Sequence, residues 1–133
     1  MFKSRSTRSL ALGAVGVSVV AATAGVAVAV ADNVKAPYAQ AGATVEPDGK
    51  VRRAKGIENV QHLGPGEYCV TFRDSDLSPG NVLPSVSSLS RGKIVSYSWS
   101  TAGSCDSAKR QARVWATDTD NKLSDSWFSI VIN

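Results

Sequence analysis

Few side chains of this sequence stand in a pattern that does chemistry, and the first to weigh is His62, its single histidine. Any Ser-His-Asp arrangement must use it, because the imidazole is the base that takes the serine proton. The serines offer no matching nucleophile, since the sequence has no Gly-x-Ser-x-Gly elbow to present one at a strained strand-to-helix turn. Standing two residues ahead of Gly64-Pro65-Gly66, His62 reads as a surface residue at a strand end. A zinc site needs three or four N, S or O ligands, and one histidine beside two cysteines that suit a disulfide does not assemble them. Asp74 with Asp76, and Asp118 with Asp120, have the form of paired glycosidase carboxylates. Carboxylates at i and i+2 are common in polar loops, however, and nothing flanking these would separate their pKa values. Asp118-Thr119-Asp120-Asn121, with Asp125 downstream, resembles the opening of a calcium loop but lacks the glycine and the distal glutamate that complete one. It reads as a polar turn. No catalytic residue, metal or cofactor is expected, and the chain is expected not to be an enzyme.

The aromatic residues give a sharper signal. If Ala112, Val114 and Ala116 face a core, then Arg113, Trp115 and Thr117 face out; if Phe128, Ile130 and Ile132 face a core, then Trp127 and Ser129 face out. Should residues 112–117 and 125–132 form one hairpin across the polar turn 118–124, both indoles would lie on one outer face. An indole held on a rigid β surface suits the flat apolar face of a pyranose, with nearby polar groups taking its hydroxyls. Trp115, Trp127 and Arg113 are therefore the candidate binding residues. Periodicity alone leaves open that either indole is covered by a neighbouring strand. Lys50, Arg52, Arg53 and Lys55 form the densest basic patch, which suits either a contact with anionic polymer or a solvated edge strand whose lysines discourage aggregation.

These residues need a scaffold, and the pattern supplies strands with almost no helical period. A weak first strand is expected over 38–45, a turn at Pro47-Asp48-Gly49, where proline presets φ and glycine permits positive φ, and strands over 51–55 and 57–63. Gly64-Pro65-Gly66 turns the chain into 67–72, where Tyr68, Val70 and Phe72 share one face of the pleat. Between Ser75 and Ser107 there are eleven serines, and Pro79-Gly80 and Pro84 mark loops. Within that region residues 93–101 alternate, with Val95, Tyr97 and Trp99 against Ser96, Ser98 and Ser100, as in a half-buried antiparallel strand. One helical turn is expected at 107–111. Seven or so short strands in about 95 residues suggest an all-β, single small antiparallel sandwich of immunoglobulin-like size. The two cysteines, Cys69 and Cys105, are expected to form one disulfide.

The chain has 133 residues and a formal charge of +4, but the excess is local. Residues 1–31 read as a secretory signal: a basic stretch over 1–8, then an uncharged Ala/Val/Gly run over 10–31 ending in Ala29-Val30-Ala31 before Asp32. Cleavage after Ala31 is expected. The alternative is a retained anchor, since the run is long enough to span a bilayer, but Gly13, Gly16, Ser18, Thr23 and Gly25 weaken its insertion. Without Lys3, Arg5 and Arg8, the 15 basic residues fall to 12 against 11 acidic ones. That near-neutral balance gives no support to a nucleic-acid binder. A short linker is expected over 32–37 and the domain over 38–133.

Several stretches carry a resemblance: residues 38–45, Asp48-Gly49-Lys50-Val51 with Lys55-Gly56-Ile57 and Val60, Gly66-Glu67-Tyr68-Cys69-Val70-Thr71-Phe72, and Val114, Thr117-Asp118 and residues 125–131 (DSWFSIV). Together they resemble a loose set of uncharacterised small exported β-domains of actinobacteria, and similar modules at the ends of longer surface proteins. That family has no established activity, so the resemblance implies fold and export and transfers no site residue.

The expectation is a secreted, extracellular, monomeric, non-enzymatic binding module with a cell-wall glycan or an extracellular protein as partner. Neither nucleic acid nor, once the leader is removed, a membrane is an expected partner. The alternatives are a secreted inhibitor of an extracellular enzyme acting through loop 77–83, and a small secreted hydrolase using His62.

Overall fold

The computed structural model describes residues 30–78, 81–99, 105 and 111–133. Eight strands follow in order: β1 (Ala41–Val45), β2 (Val51–Lys55), β3 (Ile57–Gly64), β4 (Glu67–Phe72), β5 (Ser85–Ser88), β6 (Lys93–Ser98), β7 (Gln111–Asp118) and β8 (Phe128–Ile132). They form two four-stranded sheets, β2-β1-β8-β5 and β3-β4-β7-β6, in which every neighbouring pair is antiparallel. The sheets pack face to face, so the all-β sandwich expected from the alternation is what the chain forms.

Period-2 burial explains the packing. Ala41, Ala43, Val45, Ala54, Phe128, Ile130 and Ile132 point inward from one sheet and Tyr68, Val70, Phe72, Ala112 and Val114 from the other, all buried. Small residues on β1 and large ones on β8 interdigitate with this second set, as close packing requires. The Tyr68 and Phe128 rings meet at 4.9 Å across the gap between sheets. Gly56 carries the chain from β2 to β3 at φ +64°, and a Cβ there would lie 3.0 Å from the Gln40 carbonyl, so this corner needs glycine on both counts.

Three sequence expectations change. Residues 112–117 and 125–132 do not form a hairpin: β7 lies between β4 and β6, and β8 lies in the other sheet between β1 and β5. The chain does turn back at 118–122, where Asp118 Oδ1 accepts from the Asp120 and Lys122 amides. Leu123 then pairs with Thr117 and the Ser124 amide bonds the Ala116 carbonyl. At Asp125 the chain leaves β7, because its carboxylate accepts the Gly66 amide at 2.6 Å and the following Ser126 is fully buried at the end of the core. Two alternating runs around a polar turn look the same in sequence whether the turn closes a hairpin or crosses between sheets. Strand β5, with one apolar residue in Ser85-Val86-Ser87-Ser88, was hidden in the serine-rich region, and it pairs with β8 in register from Ser85↔Val131 to Ser88↔Phe128. The stretch 32–37, read as linker from composition, is fastened to β2. Asn33 donates to the Arg52 carbonyl and accepts from the Ala54 amide, and Asp32 accepts the Gly56 amide. The helical turn expected at 107–111 falls, apart from Gln111 at the start of β7, outside the described residues.

Candidate binding faces

Trp115 stands on β7 opposite Glu67 of β4 and Ser96 of β6, and Arg113 stands opposite Cys69 and Ser98. Because Ala112, Val114 and Ala116 on the same strand are buried, alternation turns Arg113 and Trp115 to the outer face of the β3-β4-β7-β6 sheet. There the Arg113 guanidinium lies 5.9 Å from the centre of the Trp115 ring and donates to Glu67 Oε1 at 2.5 Å. The indole is partly exposed. Ile94 and Leu123, at 57% and 48% exposed, extend the apolar part of this face, because both pair with Thr117 beside Trp115. Cys69 projects from the same side of β4 and is joined to Cys105, with 5.6 Å between Cα atoms and both residues buried. The disulfide thus fastens Cys105 to the part of the sheet next to Arg113.

Trp127 is not on this face. It precedes β8 with buried Ser126 and Phe128 on either side, which turns its partly exposed indole to the outer side of the other sheet. Arg52 of β2 lies over it, 6.0 Å from the ring centre, and donates through Nε to Glu46 Oε1 at 2.8 Å. The register shift between β1 and β2 next to Thr44 and Val45 places Arg52 there. Of the three residues singled out in the sequence, the fold therefore brings Arg113 and Trp115 together and puts Trp127 on the opposite face. Glu67, Glu46 and Arg52 complete the two groups and were missed as members of a site; their partners lie on other strands, and only the register shows it.

Between the two faces, at one end of the sandwich, is a polar cluster around Asp125. Its Oδ1 accepts the Gly66 amide and lies 2.9 Å from His62 Nε2. The Tyr68 hydroxyl donates to the Pro47 carbonyl at 2.7 Å and accepts the Ser126 amide at 3.3 Å. His62 stacks on Tyr68 with ring centres 5.0 Å apart. Burial raises the Tyr68 phenol to about 12, with the neighbouring Asp125 charge adding to the effect. Burial also pushes the Asp125 carboxyl up, but the bonds from Gly66, His62 and Tyr68 outweigh it and hold the group below its ordinary value. His62 is thus a tied strand-end residue with its Nε2 on Asp125.

The other candidates serve local structure. Lys55 Nζ donates to the Ala36 and Ala39 carbonyls, so within the basic patch Lys55 holds the N-terminal stretch and Arg52 pairs with Glu46. Asp74 caps the Asp76 amide, and Asp118 caps its own turn. Of the stretch 77–83, whose residues 79 and 80 lie outside the described ones, Leu77 is buried while Leu83 is 85% exposed. Among the described residues no group of three or more His, Cys, Asp or Glu side chains is placed to hold a metal ion. No family model, no curated protein and no solved structure matches the chain.

Proposed function

We propose that this protein is an exported, non-enzymatic binding domain whose β3-β4-β7-β6 outer face takes a neutral glycan. One observation carries the reading: the Trp115 indole, partly exposed on a rigid sheet, lies beside an Arg113–Glu67 pair whose side chains are 28% and 27% exposed. The ring offers an apolar plate of pyranose size, and the pair offers donors and acceptors for hydroxyls at its rim. Since Glu67 neutralises Arg113, the face favours an uncharged ring over a polyanion. Export is supported by the leader and by the disulfide, which persists in oxidising compartments.

The test is sedimentation of purified residues 32–133 with insoluble chitin, cellulose and isolated cell walls, run beside a Trp115→Ala variant whose folding is checked by near-UV circular dichroism. The expected result is binding to at least one of these, weakened tenfold or more in the folded variant, about 1.4 kcal/mol. Absence of wild-type binding to all three, or equal binding by the folded variant, overturns the reading.

A further inference from the structure

The Trp115 group has a counterpart. On each outer face one tryptophan lies under one arginine, and that arginine is bonded to one glutamate: Trp115, Arg113 and Glu67 on one sheet, Trp127, Arg52 and Glu46 on the other. The distances from guanidinium to ring centre, 5.9 Å and 6.0 Å, are nearly equal. No symmetry of the chain produces this. One group is built on adjacent central strands and the other from a strand end, a turn and an edge strand, so the same combination arises from unrelated backbone.

We infer that the Trp127–Arg52–Glu46 group is a second glycan site, which makes the domain divalent and able to bridge two polymer strands. The inference rests on the reading of the Trp115 face given above. Bridging follows from placement. Glu67 opens β4 and Glu46 follows β1 at the same end of the sandwich, and Tyr68, next to Glu67, crosses that end and donates to Pro47, next to Glu46. The two sites are therefore held at a fixed spacing, with the thickness of the sandwich between them and their rings turned away from each other. Packed sheets lie about 10 Å apart, and sites facing opposite ways cannot both engage one flat surface. The second site consequently adds no avidity on a single particle, since linked sites gain only where geometry lets both bind the same target. Its effect is to join two particles.

The experiment uses suspended chitin and cellulose particles and isolated cell walls, with residues 32–133 as wild type, Trp115→Ala, Trp127→Ala, Arg52→Ala and the double tryptophan variant. Binding is read by co-sedimentation, bridging by particle clumping in light scattering, and the state of the free protein by analytical ultracentrifugation. A monomeric wild type is expected to bind and to clump particles. Trp115→Ala, left with the Trp127 site alone, is expected to bind at least tenfold more weakly and Trp127→Ala to keep most of the binding; each loses clumping at least tenfold, and the double variant loses the remaining binding as well. Arg52→Ala, a change at an exposed side chain that leaves the core untouched, weakens clumping as Trp127→Ala does and covers the case in which that variant fails to fold. If Trp115→Ala removes all binding and Trp127→Ala and Arg52→Ala change nothing, the second site is refuted and the first reading stands. If clumping requires a dimer, divalence within one chain is refuted. If the wild type binds no particle, both readings fall.

Discussion

The two tryptophan faces differ in what holds them. Trp115, Arg113 and Glu67 sit on β7 and β4, the two central strands of their sheet, and their spacing is set by ladder register, Glu67 directly opposite Trp115. The disulfide at Cys69 lies opposite Arg113 on the same face. Trp127, Arg52 and Glu46 are set by corners instead: the residue before β8, a bulge on edge strand β2, and the turn after β1. A site fixed by register loosens only if the sheet does, whereas a site fixed by corners depends on individual hydrogen bonds at one end of the molecule. The difference can be broken from either side.

The largest effect is expected from the disulfide. Closing a separation of 36 residues restricts the unfolded chain by about 4 kcal/mol on the chain-entropy model. Cys69→Ala with Cys105→Ala should lower stability by about that amount in urea titration. Hydrogen exchange should rise at the β4 and β7 amides around Arg113 before those of β1 and β8; a uniform rise would show that the disulfide does not favour its own face. Gly66→Ala comes next. Gly66 has φ +68°, and a Cβ would lie 2.4 Å from the Ala116 carbonyl oxygen and 2.6 Å from the Ser124 amide. The left-handed backbone alone costs about 1–2 kcal/mol for alanine, the backbone clash adds to it, and the corner carrying Asp125 toward Trp127 must move. The Trp127 indole fluorescence should shift with stability, and an unchanged variant would show that the corner yields freely.

Tyr68→Phe leaves the Pro47 carbonyl and the Ser126 amide without their partner and should cost about 1–3 kcal/mol. It also tests alkaline behaviour. The folded phenol titrates near 12 against 10.0 ordinarily, so its contribution is present below pH 10 and is lost as pH rises toward 12. Melting temperature should fall across that window in the wild type and less in the variant. Asp125 works in the opposite direction. Its folded pKa lies below the ordinary value, so its stabilisation is present above about pH 4 and is lost as pH falls through the folded value. Asp125→Asn should melt lower than wild type at pH 7, with the two converging toward pH 2; a constant difference would refute the role. The smallest effect belongs to Arg52→Ala, because a guanidinium 60% exposed contributes about 1 kcal/mol or less through its ion pair. Any larger loss would mean that the Arg52 stack organises the corner.

Where burial alternates strongly the fold was legible: Tyr68, Val70 and Phe72 on β4, and Phe128, Ile130 and Ile132 on β8, declared their strands and inner faces. Strand β5 was not, since Ser85-Val86-Ser87-Ser88 has too few apolar residues to show a period, and its place comes from β8 beside it. The candidate site was half legible. Arg113 and Trp115 are two apart on one strand, so alternation alone puts them on one face. Glu67 joins them through pairing of strands 46 residues apart, and Arg52 reaches Trp127 only because β8 crosses into the sheet of β1 and β2. That crossing depends on Asp125 finding the Gly66 amide and on Ser126 being buried, contacts that no local pattern encodes.

β8 is the last of the described strands and lies inside its sheet, with β1 on one side and β5 on the other. In any N-to-C-terminal appearance of the chain, β1 and β2 remain a two-stranded hairpin and β5 has no hydrogen-bonded partner in its sheet until Phe128–Ile132 arrives, and two-stranded hairpins are marginal in water. Assembly of that sheet is therefore one late step that closes contacts as distant as Ala41 and Ile132, and long-range pairing of this kind makes folding slow. Until then one of the two sheets stays open while β3-β4-β7-β6 needs no part of it, and the five-residue strand β8 acts as the latch.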